Sequence, residues 1–145
     1  MDREALIRAT ASLAHKKLCE GHVRAGKTYI KETSDSVWVQ KHGSNLVDLC
    51  AVDLDGLPGD WRAERDAGAS IAVDALLESI EKGREIDEQL IEEVSALLHN
   101  RWLERNFARA SEIEKSQYSD LPETDKEKDR YFIRAAVEVF KSPHA

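Results

Sequence analysis

The chain has 145 residues, 34% of them charged, and a formal net charge of -7, which excludes a general nucleic-acid or anionic-membrane binder, because phosphate affinity comes from clustered Lys and Arg. That length suits one domain, 1–145, with a core large enough to need no metal or disulfide. Cys19 and Cys50 show neither metal-ligand spacing nor a disulfide-framework pattern, so they are expected as reduced thiols of a cytoplasmic protein.

The opening MDREALIRAT is acidic and amphipathic. It holds no apolar run of signal-peptide or membrane-span length, so no membrane partner is expected. Over 2–24, Leu6, Ile7, Leu13, Ala14 and Leu18 recur at helical spacing and predict a first amphipathic helix. The stretch 27–50 breaks that period. Thr28, Ile30, Val37, Trp38 and Val39 are strand formers around the turn-prone Thr33-Ser34-Asp35-Ser36, which predicts a short β-hairpin or irregular insertion. A second helix is expected over 58–82, with Trp61, Ala69, Ala72, Val73, Leu76, Leu77 and Ile80 as its apolar set and Gly83 as its left-handed stop. A third is expected over 88–113, capped by Asp87 and stapled by Ile86 against Ile91, with Leu90, Val94, Leu97, Leu98 and Trp102 as its stripe. The fourth begins at 122–125, where Thr124 and Glu127 form a candidate capping box, and buries Phe132, Ile133, Ala136, Val137 and Phe140.

These helices repeat. HKKL (15–18) matches HNRW (99–102), and Leu57-Pro58, Arg62, Ala72-Val73 and Asp74 fall at a constant offset on Leu121-Pro122, Lys126, Ala136-Val137 and Glu138. The predicted fold is therefore all-α: two tandem α–α repeats, about 2–83 and 86–141, with the 27–50 insertion in the first alone. Two such units facing each other bury stripes that neither buries alone and leave a cleft where they meet. Arg65 and Asp129 occupy equivalent positions within their helices' apolar arcs, where an unpaired charge is costly, so they are expected to pair with each other across the repeat interface, or each with a polar group on the helix opposite. The alanines at 63, 67, 69, 72 and 75 allow close helix approach and suggest a symmetric homodimer.

In the second half, His99, Trp102, Tyr118, Leu121, Pro122, Lys126, Asp129 and Arg130 spell H-x-x-W followed by Y-x-x-L-P-x-x-x-K-x-x-D-R. This order resembles the ryanodine-receptor repeat, the RyR domain. The first half keeps His15, Leu57, Pro58 and a basic Arg62, but carries Leu18, Arg65 and Asp66 where the motif has Trp, Asp and Arg. Both halves lack the glycine- and tryptophan-rich loop and the H-P-C segment that many members place between the helices. The resemblance implies a helical, non-catalytic module that packs in pairs, with nucleotide-derived ligands proposed for prokaryotic members.

Candidate ligand-binding residues follow from position and charge. His15, His99, Trp102 and Asn106 lie along or at the edge of apolar stripes, where they meet either a ligand or a core carbonyl. Trp38, on the insertion, has no evident core to enter and is a candidate lid or partner contact. Lys16, Lys17, Arg24, Lys27 and Lys31 form a local basic run. With Lys126 and Arg130 near a helix start, that run suits a phosphate or carboxylate. The expected ligand is small, anionic and nucleotide-like, held between the repeats. A protein partner bound through 27–50 is the alternative.

No phosphate-loop, dinucleotide, zinc-protease or nucleophile-elbow motif is present in the sequence, so no catalytic residue, cofactor or metal is assigned. A metal-dependent all-α nucleotide pyrophosphohydrolase is the reading from the enzyme class. It requires Glu88, Glu92 and Glu93 to meet Asp125 and Asp129 in one pocket.

Overall fold

The computed structural model describes residues 2–142. Helix α1 (Arg3–Arg24) is followed by strand β1 (Ile30–Glu32), helix α2 (Ser36–His42), strand β2 (Leu46–Asp48), and helices α3 (Gly59–Glu81), α4 (Glu88–Asn106) and α5 (Glu123–Lys141). β1 and β2 pair antiparallel, Lys31 opposite Val47. The fold is mostly helical with one small two-stranded sheet, as the periodicity predicts.

Local chemistry sets the helix ends. The carboxylates of Asp2 and Asp87 accept from the backbone N–H groups of Ala5 and Leu90 and start α1 and α4. Gly83, at φ 74°, closes the turn after α3. Pro58 and Pro122 cap α3 and α5 with the same backbone, φ -58° and -59°, ψ 152° in both. The Thr124–Glu127 capping box does not form: helix α5 has already begun, and Glu127 accepts from Arg130 instead. Each proline follows a single 3-10 turn, Leu54–Gly56 before α3 and Tyr118–Asp120 before α5, again at equivalent positions.

Helices α3 and α5 pack together, α1 lies across both, and α4 packs on α5 and α3. Small residues permit this approach: Ala69, Ala72, Ala135 and Ala136 are fully buried. Gly68 leaves room for Phe132, whose ring would stand 2.7 Å from a Cβ there. Of the five alanines read from sequence as a dimer surface, Ala69 and Ala72 are covered inside the chain, Ala67 and Ala75 are half-buried and Ala63 is exposed. One core joins Leu6, Val73, Leu76, Leu90, Val94 and Ile133; a second, under the insertion, joins Leu18, Val47, Leu49, Leu54 and Leu57.

Three local expectations are corrected. Val37, Trp38 and Val39 are helical, because the Asp35 carboxylate caps Val37 and Trp38; the supposed hairpin turn is a helix start, and β1 pairs with Leu46–Asp48. Helix α4 ends at Asn106, not at 113: the Asn106 amide donates to the Trp102 carbonyl and its own backbone leaves helical geometry, the competition short amides offer a helix. Phe140 is exposed, and Ala135 lies in the buried face of α5 instead.

The insertion is fastened to the start of α3. Asp35 accepts from the Gly59 N–H at 2.7 Å, Asp60 accepts from Thr33 and from the Ser34 N–H, and the Trp61 indole donates to the Glu32 carbonyl at 2.9 Å. Burial pushes the Asp60 carboxyl up, but the Thr33 and Ser34 bonds outweigh it and hold the group below its ordinary range. A disulfide between Cys19 and Cys50, Cα atoms 5.3 Å apart, ties α1 to the end of the insertion. This overturns the reading of free thiols and withdraws its argument for a reducing compartment. Sequence spacing did not reveal that the chain returns to α1 after β2.

Candidate ligand-binding site

Where the two halves meet, a cavity of about 160 Å³ opens. Helix α3 supplies Trp61, Arg65 and Gly68; α4 supplies Leu98, His99 and Trp102; α5 supplies Lys128, Asp129 and Phe132. Tyr29 and Lys31 complete the wall from the insertion, so the element present in only one repeat shapes the cavity. Its size is comparable to cavities of roughly 150 Å³ that admit one benzene-sized ring.

Charge is unevenly arranged around this space. The guanidinium of Arg65 and the ammonium groups of Lys31 and Lys128 stand 6.0, 5.5 and 6.0 Å from the centre of the Tyr29 ring. Three cations from three elements thus gather around one aromatic ring, which attracts them through its quadrupole. Tyr29 is held from behind by His22, stacked at 4.1 Å. At the rim Arg105 pairs with Glu64, bidentate at 3.2 and 3.0 Å, and ties α4 to α3.

Arg65 is 6% exposed. Its Nε–H donates to His15 Nδ1 at 3.3 Å, and His15 Nε2 donates to the Val52 carbonyl at 3.0 Å. A carbonyl only accepts, so His15 is the neutral Nε2–H tautomer. Burial, joined by the charge of Arg65, lowers its pKa. The Arg65 Nη2 has no hydrogen-bond partner. Asp129, partly buried on the cavity wall, forms no hydrogen bond or ion pair with any described residue. Burial pushes its carboxyl up to about 7. Arg65 and Asp129 therefore share the inter-repeat cavity, but the expected pair between them is absent. Arg65 turns to His15, and Asp129 is left facing the space.

The other candidate residues separate. His99 and Trp102 line the cavity, with the His99 Nε2 donating to the Ser116 carbonyl at 2.8 Å. His15 sits behind Arg65. Asn106 is buried at the end of α4, bonded to Trp102 and Arg109. Arg130 is held by Glu92, Glu123 and Glu127, which raise its pKa. Lys126 lies 5.6 Å from the Tyr118 ring and 3.7 Å from Glu123. The anion pocket read into His99, Asn106, Lys126 and Arg130 is thus not assembled: the two cations already face carboxylates on another side of the molecule. Trp38 is half-buried over the second core, stacked on His42 at 3.8 Å, and forms no lid. Lys16 and Arg24 border a separate open groove beside the disulfide.

Tyr29 and Lys128 were missed by the sequence reading, Lys31 was read only as one member of the basic run, and Trp61 and Phe132 were read as core alone. The constant offset places Arg65 and Asp129 in one register, which is the signal that points to this cavity. Nothing local marks Tyr29, which reaches it through the insertion. The α4 carboxylates are engaged singly, Glu88 with Arg134, Glu92 with Arg130 and Glu93 with Arg84, so they do not converge with Asp125 and Asp129. The chain has no significant match to a family model, to a curated protein or to a solved structure.

Proposed function

We propose that the chain is a non-catalytic binding module, of the ryanodine-receptor-repeat type that its motif resembles, holding a small anionic, nucleotide-like ligand between its two halves. The observation that carries this reading is the convergence of Lys31, Arg65 and Lys128 around Tyr29 at the cavity. Indole and phenyl walls from Trp61, Trp102 and Phe132 suit a planar ring, and the cations suit its anionic group. No described carboxylate pairs with Lys31 or Arg65, so neither cation has to give up an ion pair to engage a ligand.

A melting screen against mononucleotides, cyclic nucleotides and aromatic carboxylates, with and without magnesium, tests it. Saturable stabilisation without turnover is expected, because a ligand that binds only the folded state raises its melting temperature. Lys31→Ala combined with Lys128→Ala should weaken binding about tenfold or more while leaving the unliganded melting temperature nearly unchanged, since both side chains sit at the surface. Absence of any ligand-dependent shift contradicts the reading.

A second reading, a protein partner bound through the insertion, is favoured by the exposed Ile30, Val37 and Leu46, 54%, 74% and 55% accessible. Val37→Glu would abolish such binding and leave small-molecule binding intact.

A further inference from the structure

We propose that Asp129 is the specificity-determining residue of the inter-repeat cavity, and that it selects a ligand that combines a single aromatic ring with an amino group and an anionic group. The proposal rests on the cavity being the ligand site, and it names the chemistry that the cavity recognises.

Most charges on the cavity wall are already satisfied. Arg105 and Glu64 neutralise each other across the rim. Lys128 lies 4.0 Å from Asp125 on its own helix. Glu114 accepts from the Ser111 N–H. His99 has its Nε2 committed to Ser116. What is left is the exposed Lys31, one buried cation, Arg65, with an Nη2 that has no partner, and one carboxyl, Asp129, with no partner at all among the described residues.

These two groups come from equivalent positions on α3 and α5, line the same cavity, and do not reach each other. A buried polar group left without a partner is costly, and a charged one more so. A ligand that places its anionic group toward Arg65 and Lys31 and an amino group toward Asp129 satisfies both ends at once. A purely anionic ligand would satisfy Arg65 but bring negative charge toward Asp129. A purely cationic one would meet the three cations around Tyr29.

The cavity is open to solvent, and its space of about 160 Å³ seats one aromatic ring against Trp61, Trp102 and Phe132 while the rest of a larger ligand stays outside. Two sources share the required chemistry: an aromatic α-amino acid, and an amino-pyrimidine nucleotide whose exocyclic amino group meets the carboxyl.

Matched pairs distinguish them. Calorimetric titration of the full chain compares L-tyrosine with its deaminated acid, and cytidine monophosphate with uridine monophosphate; the members of each pair differ at the amino group that Asp129 would read. In at least one pair the amino-bearing member should bind about tenfold or more tightly, the scale of one charge-assisted hydrogen bond. Asp129→Asn should erase or invert that preference, because an amide both donates and accepts. Circular dichroism of the variant separates this from loss of fold. Preference in the first pair alone identifies the amino acid, and in the second alone the nucleotide.

Binding without preference in either pair, or a preference that survives Asp129→Asn, overturns the role of Asp129 and leaves the cavity as the ligand site. If none of the four compounds binds, yet another ligand produces a shift that the Lys31→Ala, Lys128→Ala variant abolishes, the ring-and-amino specificity assigned to Asp129 is overturned and the cavity stands. If no compound of any class binds, both proposals fall.

Discussion

His15 and His99 make the same hydrogen bond in the two halves of the molecule: each Nε2 donates to a backbone carbonyl, of Val52 at 3.0 Å and of Ser116 at 2.8 Å, and those carbonyls occupy equivalent positions. Each histidine thereby fastens the first helix of its unit to the segment leading into the 3-10 turn and the proline-capped second helix. Both are 4% exposed, so removing either leaves a carbonyl with no replacement donor. His99→Ala should cost about 1–3 kcal/mol. His15→Ala should cost more, because it also deprives Arg65 of its acceptor. Urea denaturation of the two variants checks the order.

Arg65 and His15 act together, whereas Arg65 and Asp129 do not. A double-mutant cycle on Arg65 and His15 should give a coupling on the order of 0.5–3 kcal/mol, as for residues in one hydrogen-bonded network, and the cycle on Arg65 and Asp129 should stay within about 0.5 kcal/mol. The reverse outcome would restore the ion pair that the repeat suggests from sequence.

Asp129 sets a pH dependence with a definite sign. Its folded pKa, raised by burial to about 7 from an ordinary 3.8, means the native state keeps a proton that the unfolded chain releases. The stability contributed by this group therefore falls as pH rises from about 4 to about 7 and is flat above. His15 runs the other way: its lowered pKa costs stability as pH falls below 6.5. Asp129→Asn should remove the falling limb and leave the variant more stable than the parent at pH 8, read by melting temperature across the range.

The Cys19–Cys50 disulfide closes a loop that contains Tyr29 and Lys31. Replacing both cysteines by serine should destabilise the protein by about 2–4 kcal/mol through the freed chain. It should also weaken ligand binding, since one wall of the cavity is no longer tied to α1. Free-thiol titration under denaturing conditions, finding no thiol in the untreated protein, checks the bond itself.

Gly68→Ala should be destabilising by about 1–3 kcal/mol, because the new methyl group meets the Phe132 ring at 2.7 Å. As that ring lines the cavity, the same variant should change ligand affinity.

Helix positions were legible where the apolar period runs uninterrupted, as in α3, and where a side chain caps, as at Asp87 and Gly83. The constant offset between halves also anticipated that Leu57-Pro58 and Leu121-Pro122 adopt one conformation. The insertion was less legible. Val37, Trp38 and Val39 have strand propensity, but the Asp35 carboxylate overrides it by capping a helix, and the strand that pairs with β1 forms from Leu46, Val47 and Asp48. Of the site residues, His99 and Trp102 are found on the cavity because they sit at the margin of a stripe that faces the other half. Lys126 and Arg130 are not, since a cation's neighbours across space, Glu92 and Glu123 in this case, do not show in its local sequence. Tyr29 and Lys31 depend on how the insertion folds back, which rests on the Asp35, Asp60 and Trp61 contacts to α3.

Tryptophan fluorescence tests the central claim most directly. Trp61 and Trp102 line the cavity and Trp38 does not, so in a Trp38→Phe protein both remaining indoles report on the proposed site. Titration with the ligand that stabilises the protein should change their emission saturably, with the midpoint seen by calorimetry, and the change should be lost in the Lys31→Ala, Lys128→Ala background. A stabilising ligand that leaves this emission unchanged, or changes it equally in that background, would show that it binds elsewhere and would contradict the cavity as the site.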